Sequence, residues 1–413
     1  MITVKISGGI GNQLFQYATG RSLANDLNSD LYLDLSYYSN FYLQKHSKYR
    51  LDNFDIKIDG YTHNLSCKVK KKIEKIKKED ETIFSDYGDT YGSDSTYKPQ
   101  ISDLKGNIYL EGYWQNEKYF IHNEKIIKDD LQLKSSPNKK NKNILKQLSS
   151  SVNSVALMVR RGDYLNPYLK AQFGFCTLSY YEKAIEKIAK EVENPIFYIF
   201  SDDPEWVKKN IKLSYPTHYI SHNYKAEEDW EDIRLISSCK HIIMGNSSFS
   251  WWGAWLNKNK FKIAIGPEPW ISSYTYEDIM PEHWTKIKYD NLIFDTLNNV
   301  IYKETKTELN NVKLKINPNT DSIKQHSNKK DHILRILVDA ESPTLLKIHD
   351  ENIHPILVKF ERGISIRYIY LDNMINIYNI IINNESETKL RVVDLEIRSV
   401  KNTISEKYKI KTI

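Results

Sequence analysis

The chain has 413 residues, 40% hydrophobic and 27% charged, with a formal net charge of +6. That length sustains two or three domains with real cores, and that balance is typical of a globular protein. No apolar run approaches the roughly 18 residues of a membrane span, and neither metal-finger spacing nor an aromatic RNA-binding signature is present. A cytoplasmic protein without a nucleic-acid partner is therefore expected. Its three cysteines, Cys67, Cys176 and Cys239, are widely separated and suit a reducing compartment.

The chain opens with Ile2-Thr3-Val4-Lys5-Ile6, which reads as a strand rather than a signal peptide. After Ser7-Gly8-Gly9, Leu14, Phe15, Ala18 and Leu23 share one face of a helix expected over about 12–28. Leu31-Tyr32-Leu33-Asp34-Leu35 completes the opening of a βαβ unit. Residues from roughly 40 to 105 are polar and form an expected insertion, and Ile108-Tyr109-Leu110 reads as a strand before Trp114 and another helix. A polar stretch follows at 136–150. Lysines cluster at Lys68, Lys70, Lys71 and Lys72, and again at Lys139, Lys140 and Lys142. Such runs are ordinarily a solvated face; the alternative is attraction to an anionic lipid surface or substrate.

Alternation of strand and helix then restarts. Ser154-Val155-Ala156-Leu157-Met158-Val159 is a continuous apolar strand of the kind buried on both faces of a parallel sheet. Helices are expected at 179–192, 204–210 and 229–238, with strands at 196–200 and 241–244. The fold class is therefore α/β, with an amino-terminal Rossmann-like half over 1–150 and a second over 151–302, facing each other across a cleft. Residues 303–331 are rich in Lys, Asn, Thr and Ser and read as a linker. Strand patterns at 364–370 and 390–397 without intervening helices place a small mainly-β domain over 332–413.

Three loops carry candidate chemistry. Gly8-Gly9-Ile10-Gly11-Asn12-Gln13 joins a strand to a helix, where amide groups and the helix dipole attract phosphate. A dinucleotide reading would use Gly9, Gly11 and Asp34, but Leu14 stands at the third glycine position. Met158-Val159-Arg160-Arg161-Gly162-Asp163 lies at the carboxyl end of the buried strand, the ligand edge of an open α/β sheet. Paired arginines there suit a diphosphate; an Arg–Asp pair within the loop is the structural alternative. Gly245-Asn246-Ser247-Ser248-Phe249-Ser250-Trp251-Trp252 again follows a strand and opens a helix, so its serines serve as caps or as phosphate ligands. Asp232, on the preceding helix, has the acceptor geometry for the N1–H and N2–H of guanine, or is a surface carboxylate.

Together these segments closely resemble the bacterial α-1,2-fucosyltransferases of glycosyltransferase family 11. The resemblance rests on residues 8–18, on Glu111-Gly112-Tyr113-Trp114-Gln115-Asn116-Glu117-Lys118-Tyr119-Phe120, on the Arg160 loop, on Phe200-Ser201-Asp202-Asp203-Pro204 and on Asn246 through Trp255. It covers roughly residues 1–300 and implies a GT-B fold, GDP-β-L-fucose as donor and inversion of configuration. No cofactor or metal is required on this likeness, and no Asp-x-Asp metal triplet is found in the sequence. The acceptor would be a galactose-terminated oligosaccharide or lipid-linked glycan, with peripheral contact at the inner membrane surface as a further expectation. The first half becomes the acceptor side and the second the donor side.

By the same likeness Arg160 would hold the β-phosphate and stabilise departing GDP. Gly9, Gly11, Asn12, Arg161, Asp202, Asn246, Ser247, Ser248 and Phe249 would surround the donor, and Asp232 would read guanine. Asp163 is the candidate base for the acceptor proton, with Asp202 and Glu111 as rivals. Met158 departs from the family, which commonly has His at that position. Two alternatives stay open: a transferase of the same fold with another donor or linkage, and an inactive glycan-binding protein.

Overall fold

A computed structural model describes residues 1–39, 48–64, 83–85, 97–162, 176–225, 227–270 and 279–288. In the carboxyl-terminal part it describes residues 300–309, 314–315, 332–341, 344–349, 356–360, 363–371, 381–384 and 390–399.

The amino-terminal half is built on five parallel strands, β1 (Ile2–Lys5), β2 (Leu31–Asp34), β3 (Gly60–Tyr61), β4 (Ile83–Ser85) and β5 (Ile108–Glu111). Their order is β3-β2-β1-β5-β4, so the chain changes direction across the sheet between β1 and β5. Helix α1 (Ile10–Asp26) follows β1 and is buried on nearly every face, because sheet and second half enclose it. Its interior polar groups find partners: Gln16 accepts from the Ser7 amide and donates to the Gly112 carbonyl, both at 2.9 Å. Gln16 thereby ties the loop after β1 to the loop after β5. Helix α2 (Glu124–Asp130) closes this half, whereas helix α3 (Lys139–Ser150), inside the expected 1–150 boundary, packs against the second half, where Asn141 donates to Asn223 and Glu231, each at 3.0 Å. The stretch 136–150, read as merely polar, contains α3: Asn138 caps it, and Ile144, Leu145 and Leu148 supply its apolar stripe.

The second half holds six parallel strands, β6 (Ser154–Val159), β7 (Ile196–Ser201), β8 (Thr217–Ile220), β9 (His241–Ile243), β10 (Ala264–Glu268) and β11 (Thr285–Lys288). Their order is β11-β10-β9-β6-β7-β8, the doubly wound Rossmann order, whose reversal lies between β6 and β9. The connecting helices are α4 (Leu178–Glu191), α5 (Pro204–Asn210), α6 (His222–Lys225), α7 (Asp229–Ser238) and α8 (Ser248–Trp255). Helix α4 buries Tyr180, Tyr181, Ala184, Ile185 and Ile188 at helical spacing. Helix α5 starts where Asp203 caps and Pro204 occupies the first turn.

Beyond these halves lie two four-stranded antiparallel sheets. One contains β12 (Val300–Leu309), β14 (His332–Ala340), β17 (Gly363–Leu371) and β19 (Leu390–Ser399). The other contains β13 (Leu314–Lys315), β15 (Thr344–His349), β16 (Ile356–Phe360) and β18 (Ile381–Asn384). Here the expected linker over 303–331 needs correction. Strand β12 spans the proposed 302/303 boundary and pairs along β19 from Val300 to Leu309. Tyr302-Lys303-Glu304-Thr305-Lys306-Thr307-Glu308 makes a strand that is polar by composition, which disguised it as linker.

The two parallel halves share one hydrophobic core, which includes Phe15 and Phe120 from the first and Trp251, Trp252 and Trp255 from the second. Phe120 stacks on Trp252 with centroids 5.5 Å apart, and the Phe15 and Trp251 ring centroids are 4.4 Å apart. Trp251 and Trp252 are fully buried, so the tryptophan pair is core and not a ligand platform.

Candidate functional site

The loops after β1, β6 and β9 meet in the cleft, where each sheet presents its carboxyl edge. Gly8 makes the first possible, because the chain leaves β1 through a positive φ of 71°, and Tyr38 donates to its carbonyl at 2.8 Å. Gly11 then carries α1 against the start of α8. A Cβ on Gly11 would lie 2.5 Å from the Phe249 amide nitrogen and 2.5 Å from the Ser248 hydroxyl. Ser248 donates to Asn12 Oδ1 at 3.0 Å, and Gln115 donates to the same oxygen at 2.8 Å. Ser247 caps α8 by accepting from the Phe249 amide, whereas no side chain caps α1 at Gly9. Two helix amino termini therefore meet in the cleft, each the positive end of its dipole.

Arg160 enters from the loop after β6, and its guanidinium pairs with Asp202 at 2.7 Å. Asp202 also accepts from the Arg161 amide at 2.8 Å, so one carboxylate orients the whole Arg160 turn. Gly162 allows this approach, since a Cβ there would sit 2.5 Å from Asp202 Oδ2. Gly245 lets the β9 loop pass beside β6: a Cβ would be 3.2 Å from the Met158 carbonyl and 3.5 Å from Arg160 Cβ. The expected Arg–Asp pair of this turn thus involves Asp202, at the end of the neighbouring strand β7. Asp163 lies outside the described residues.

A cavity of about 210 Å³ opens among these groups. Its lining combines Gly11, Arg160, Ser247, Ser248 and Phe249 with Asp202, Tyr224, Asp229 and Asp232. Asp232 is 7% exposed and accepts from Asn223 at 2.8 Å. Burial pushes its carboxyl up to about 7; the Asn223 hydrogen bond opposes this, while neighbouring Asp229 and Glu231 reinforce it. Burial also raises Asp229, and the Arg50 guanidinium opposes that rise. The cavity lining is consequently bipolar, because it brings amide and guanidinium donors together with carboxylate acceptors.

Gly11, Arg160, Asp202, Asp232, Ser247, Ser248 and Phe249 all line this cavity, and Asn12 stands directly behind Ser248. Besides Asn12, three expected donor-site residues do not line it. Arg161 turns away: it bonds Asp203 at 3.2 Å and lies 3.5 Å over the Trp206 ring, so packing and charge hold it at the root of α5. Asn246 is buried, where its Oδ1 accepts a weak bond from Cys176 at 3.6 Å. Gly9 supports the turn at the start of α1, and a Cβ there would meet open space. Glu111 forms an ion pair with Lys5 across β5 and β1. Asp34 accepts from Tyr109 at 2.6 Å and from the Ser36 amide at 2.9 Å, which explains its place at the end of β2 without a ribose.

Met158, Ser201, Tyr224 and Asp229 also line the cavity, although the sequence did not single them out for it. Asp229 was within reach, because it precedes Asp232 by three residues and so shares its helix face. Tyr224 offered no signal, since α6 is a single turn.

A cleft between two Rossmann-like halves, with a bipolar cavity at the switch point of the second, defines the GT-B class of glycosyltransferase. The chain belongs to glycosyl transferase family 11, whose sequence profile matches residues 1–288. It is 33% identical to an alpha-1,2-colitosyltransferase of Escherichia coli over 304 residues, 70% of this chain and 99% of that one. It is 28% identical to the O-antigen biosynthesis glycosyltransferase WbnK of Escherichia coli, over 68% of this chain and 99% of the relative. The human galactoside alpha-(1,2)-fucosyltransferase 1 is 26% identical over 43% of this chain and 49% of its own length. A solved structure of NodZ alpha-1,6-fucosyltransferase soaked with GDP-fucose is a remote likeness only. It is 14% identical over 62% of this chain and 91% of that chain, with a TM-score of 0.38. Among the described residues no helix is long and apolar enough to cross a membrane.

Proposed function

We propose that the chain transfers L-fucose from GDP-β-L-fucose to the 2-hydroxyl of a galactose-containing glycan, with inversion and without a metal, in the synthesis of a surface glycan. The bipolar cavity carries this reading. A guanine nucleoside diphosphate has oxygens that seek donors at one end and N–H groups that seek acceptors at the other. Arg160 and the two helix termini match the diphosphate, and Asp232 matches guanine. In the transfer, the galactose oxygen bonds to the anomeric carbon as the carbon–oxygen bond to GDP breaks. The electron pair leaves on the β-phosphate, where Arg160 offsets the growing negative charge. The acceptor proton passes to Asp163, three residues beyond Arg160 in the same loop. The second half is the donor side, and the first half faces the acceptor.

A second donor is favoured by one observation, the name of the 33% identical relative. Colitose is fucose without its 3-hydroxyl, so its GDP-linked form is the competing donor. The deciding experiment measures transfer from both donors to a panel of galactosides, with and without saturating EDTA. Faster transfer from GDP-fucose onto the 2-hydroxyl, unaffected by EDTA, supports the proposal. Preference for the 3-deoxy donor replaces the sugar, loss restored by Mg²⁺ or Mn²⁺ overturns the metal-free step, and glycan binding without GDP release overturns catalysis.

A further inference from the structure

The base end of the cavity is built by both halves. Arg50, from the first half, forms an ion pair with Asp229 Oδ1 at 3.3 Å, and its guanidinium lies 5.1 Å from the centroid of the Trp230 ring. The Oδ1 atom it meets is closed off from solvent. Two residues earlier, Lys48 pairs with Glu227 at the surface, so this short segment crosses to the start of α7 twice. Gln13 holds the segment in place. Its side-chain oxygen accepts from the Arg50 amide at 2.9 Å, and its nitrogen donates to the carbonyls of Lys48 at 2.8 Å and Gly8 at 3.0 Å. Gln13 is fully buried and stands in the first turn of α1, the turn that faces α8.

A continuous chain of contacts therefore runs from the glycine loop through Gln13 and Arg50 to Asp229, which lines the cavity beside Asp232. Asp232 is buried and Asp229, three residues before it on the same helix, is partly exposed; the two carboxylates repel each other, and the Arg50 cation offsets that repulsion at Asp229. We infer that Arg50 is a positioning residue for nucleotide binding: reaching over from the first half, it holds Asp229 at the base end of the donor cavity and so couples recognition of the base to the closed arrangement of the two halves. It touches no reacting atom. Its loss should weaken binding of the nucleotide and leave the chemical step, set by Arg160, largely intact.

This inference rests on the guanine-nucleotide reading, and the test separates the two. The probe is GDP, titrated calorimetrically into the full-length protein, with donor KM and kcat measured alongside. Absence of GDP binding by the wild type overturns the nucleotide reading and this inference with it. With wild-type binding in place, Arg50→Gln should raise the GDP Kd and the donor KM about tenfold, the scale of a charge-assisted contact, while kcat changes less than threefold. Arg50→Lys should recover part of the loss. Asp229→Asn should also weaken binding, and Arg50→Gln added to it should cost at most a further twofold, because Arg50 acts through Asp229. Arg21→Gln, which breaks the remote pair with Asp130 at 2.8 Å, serves as the stability control and should lower Tm with GDP affinity unchanged. An unchanged GDP Kd in Arg50→Gln, or a full tenfold loss added on top of Asp229→Asn, overturns the inference.

Discussion

Asn12 and Ser248, 236 residues apart in sequence, share a hydrogen bond of 3.0 Å that joins the first turn of α1 to the first turn of α8. Like poles of two helix dipoles are held together by this bond and by packing, an arrangement that an anion between them relieves.

Gly11 is the residue that permits the approach. Gly11→Ala places a methyl group 2.5 Å from the Phe249 amide, and backbone must move to accept it. The expected outcome is a loss of about 1–3 kcal/mol in stability, as for other overpacked sites, with GDP affinity reduced at least tenfold. Thermal melting and calorimetric titration on one preparation check both parts. Wild-type affinity in this variant would remove the α1 terminus from the nucleotide site.

Arg160→Lys keeps a charge and loses the planar fork. If Arg160 stabilises the departing diphosphate, kcat falls by roughly two to three decades, more than GDP-fucose binding weakens, and Arg160→Ala is worse. A role confined to the Asp202 pair predicts a lower Tm with near-normal turnover per folded molecule. Both quantities measured together distinguish the roles.

Asp232 gives opposite signs for stability and binding. Its folded-state pKa is raised from 3.8 to about 7 by burial, with Asp229 and Glu231 adding to the rise and Asn223 opposing it. The folded protein therefore holds a proton that the unfolded chain releases, and stability declines as pH rises from about 4 to 7. Asp232→Asn escapes that decline, so its Tm advantage over wild type should grow across this window and persist above it. GDP binding should behave inversely. The ionised carboxylate accepts from guanine, so the wild-type affinity advantage over Asp232→Asn should widen from pH 6 to pH 8. An advantage independent of pH would remove the carboxylate from the base pocket.

A protein ending at Lys288 retains both parallel sheets and the whole region matched by the family. It should fold and transfer sugar to small acceptors at a rate within threefold of the full chain. A folded, inactive product would make the antiparallel sheets part of the catalytic unit.

Legibility in the sequence followed the strength of local signals. Continuous apolar strands such as Ser154–Val159 and glycine-punctuated turns such as Gly8–Gly11 announce themselves, because burial and backbone freedom leave few residue choices. Both Rossmann-like halves were therefore readable. Strand β8, with Thr217 and His218, and strand β12, with its alternating charges, carry no such imprint, and pairing with neighbours decides them. At the site, position at a strand's carboxyl edge identified Arg160 and Ser247. Distant partnerships were not encoded locally: nothing near Arg161 says that Trp206 will take its guanidinium, or near Arg50 that Asp229 awaits it.

The aromatic seam of Phe15, Phe120, Trp251 and Trp252 has a thermodynamic consequence. Rings shared by both halves cannot be exposed by one half alone without stripping the other of its core. The first 288 residues should therefore melt as one cooperative unit, with a single calorimetric peak whose enthalpy matches the van't Hoff value. Any shift between the halves must then keep these rings packed against one another.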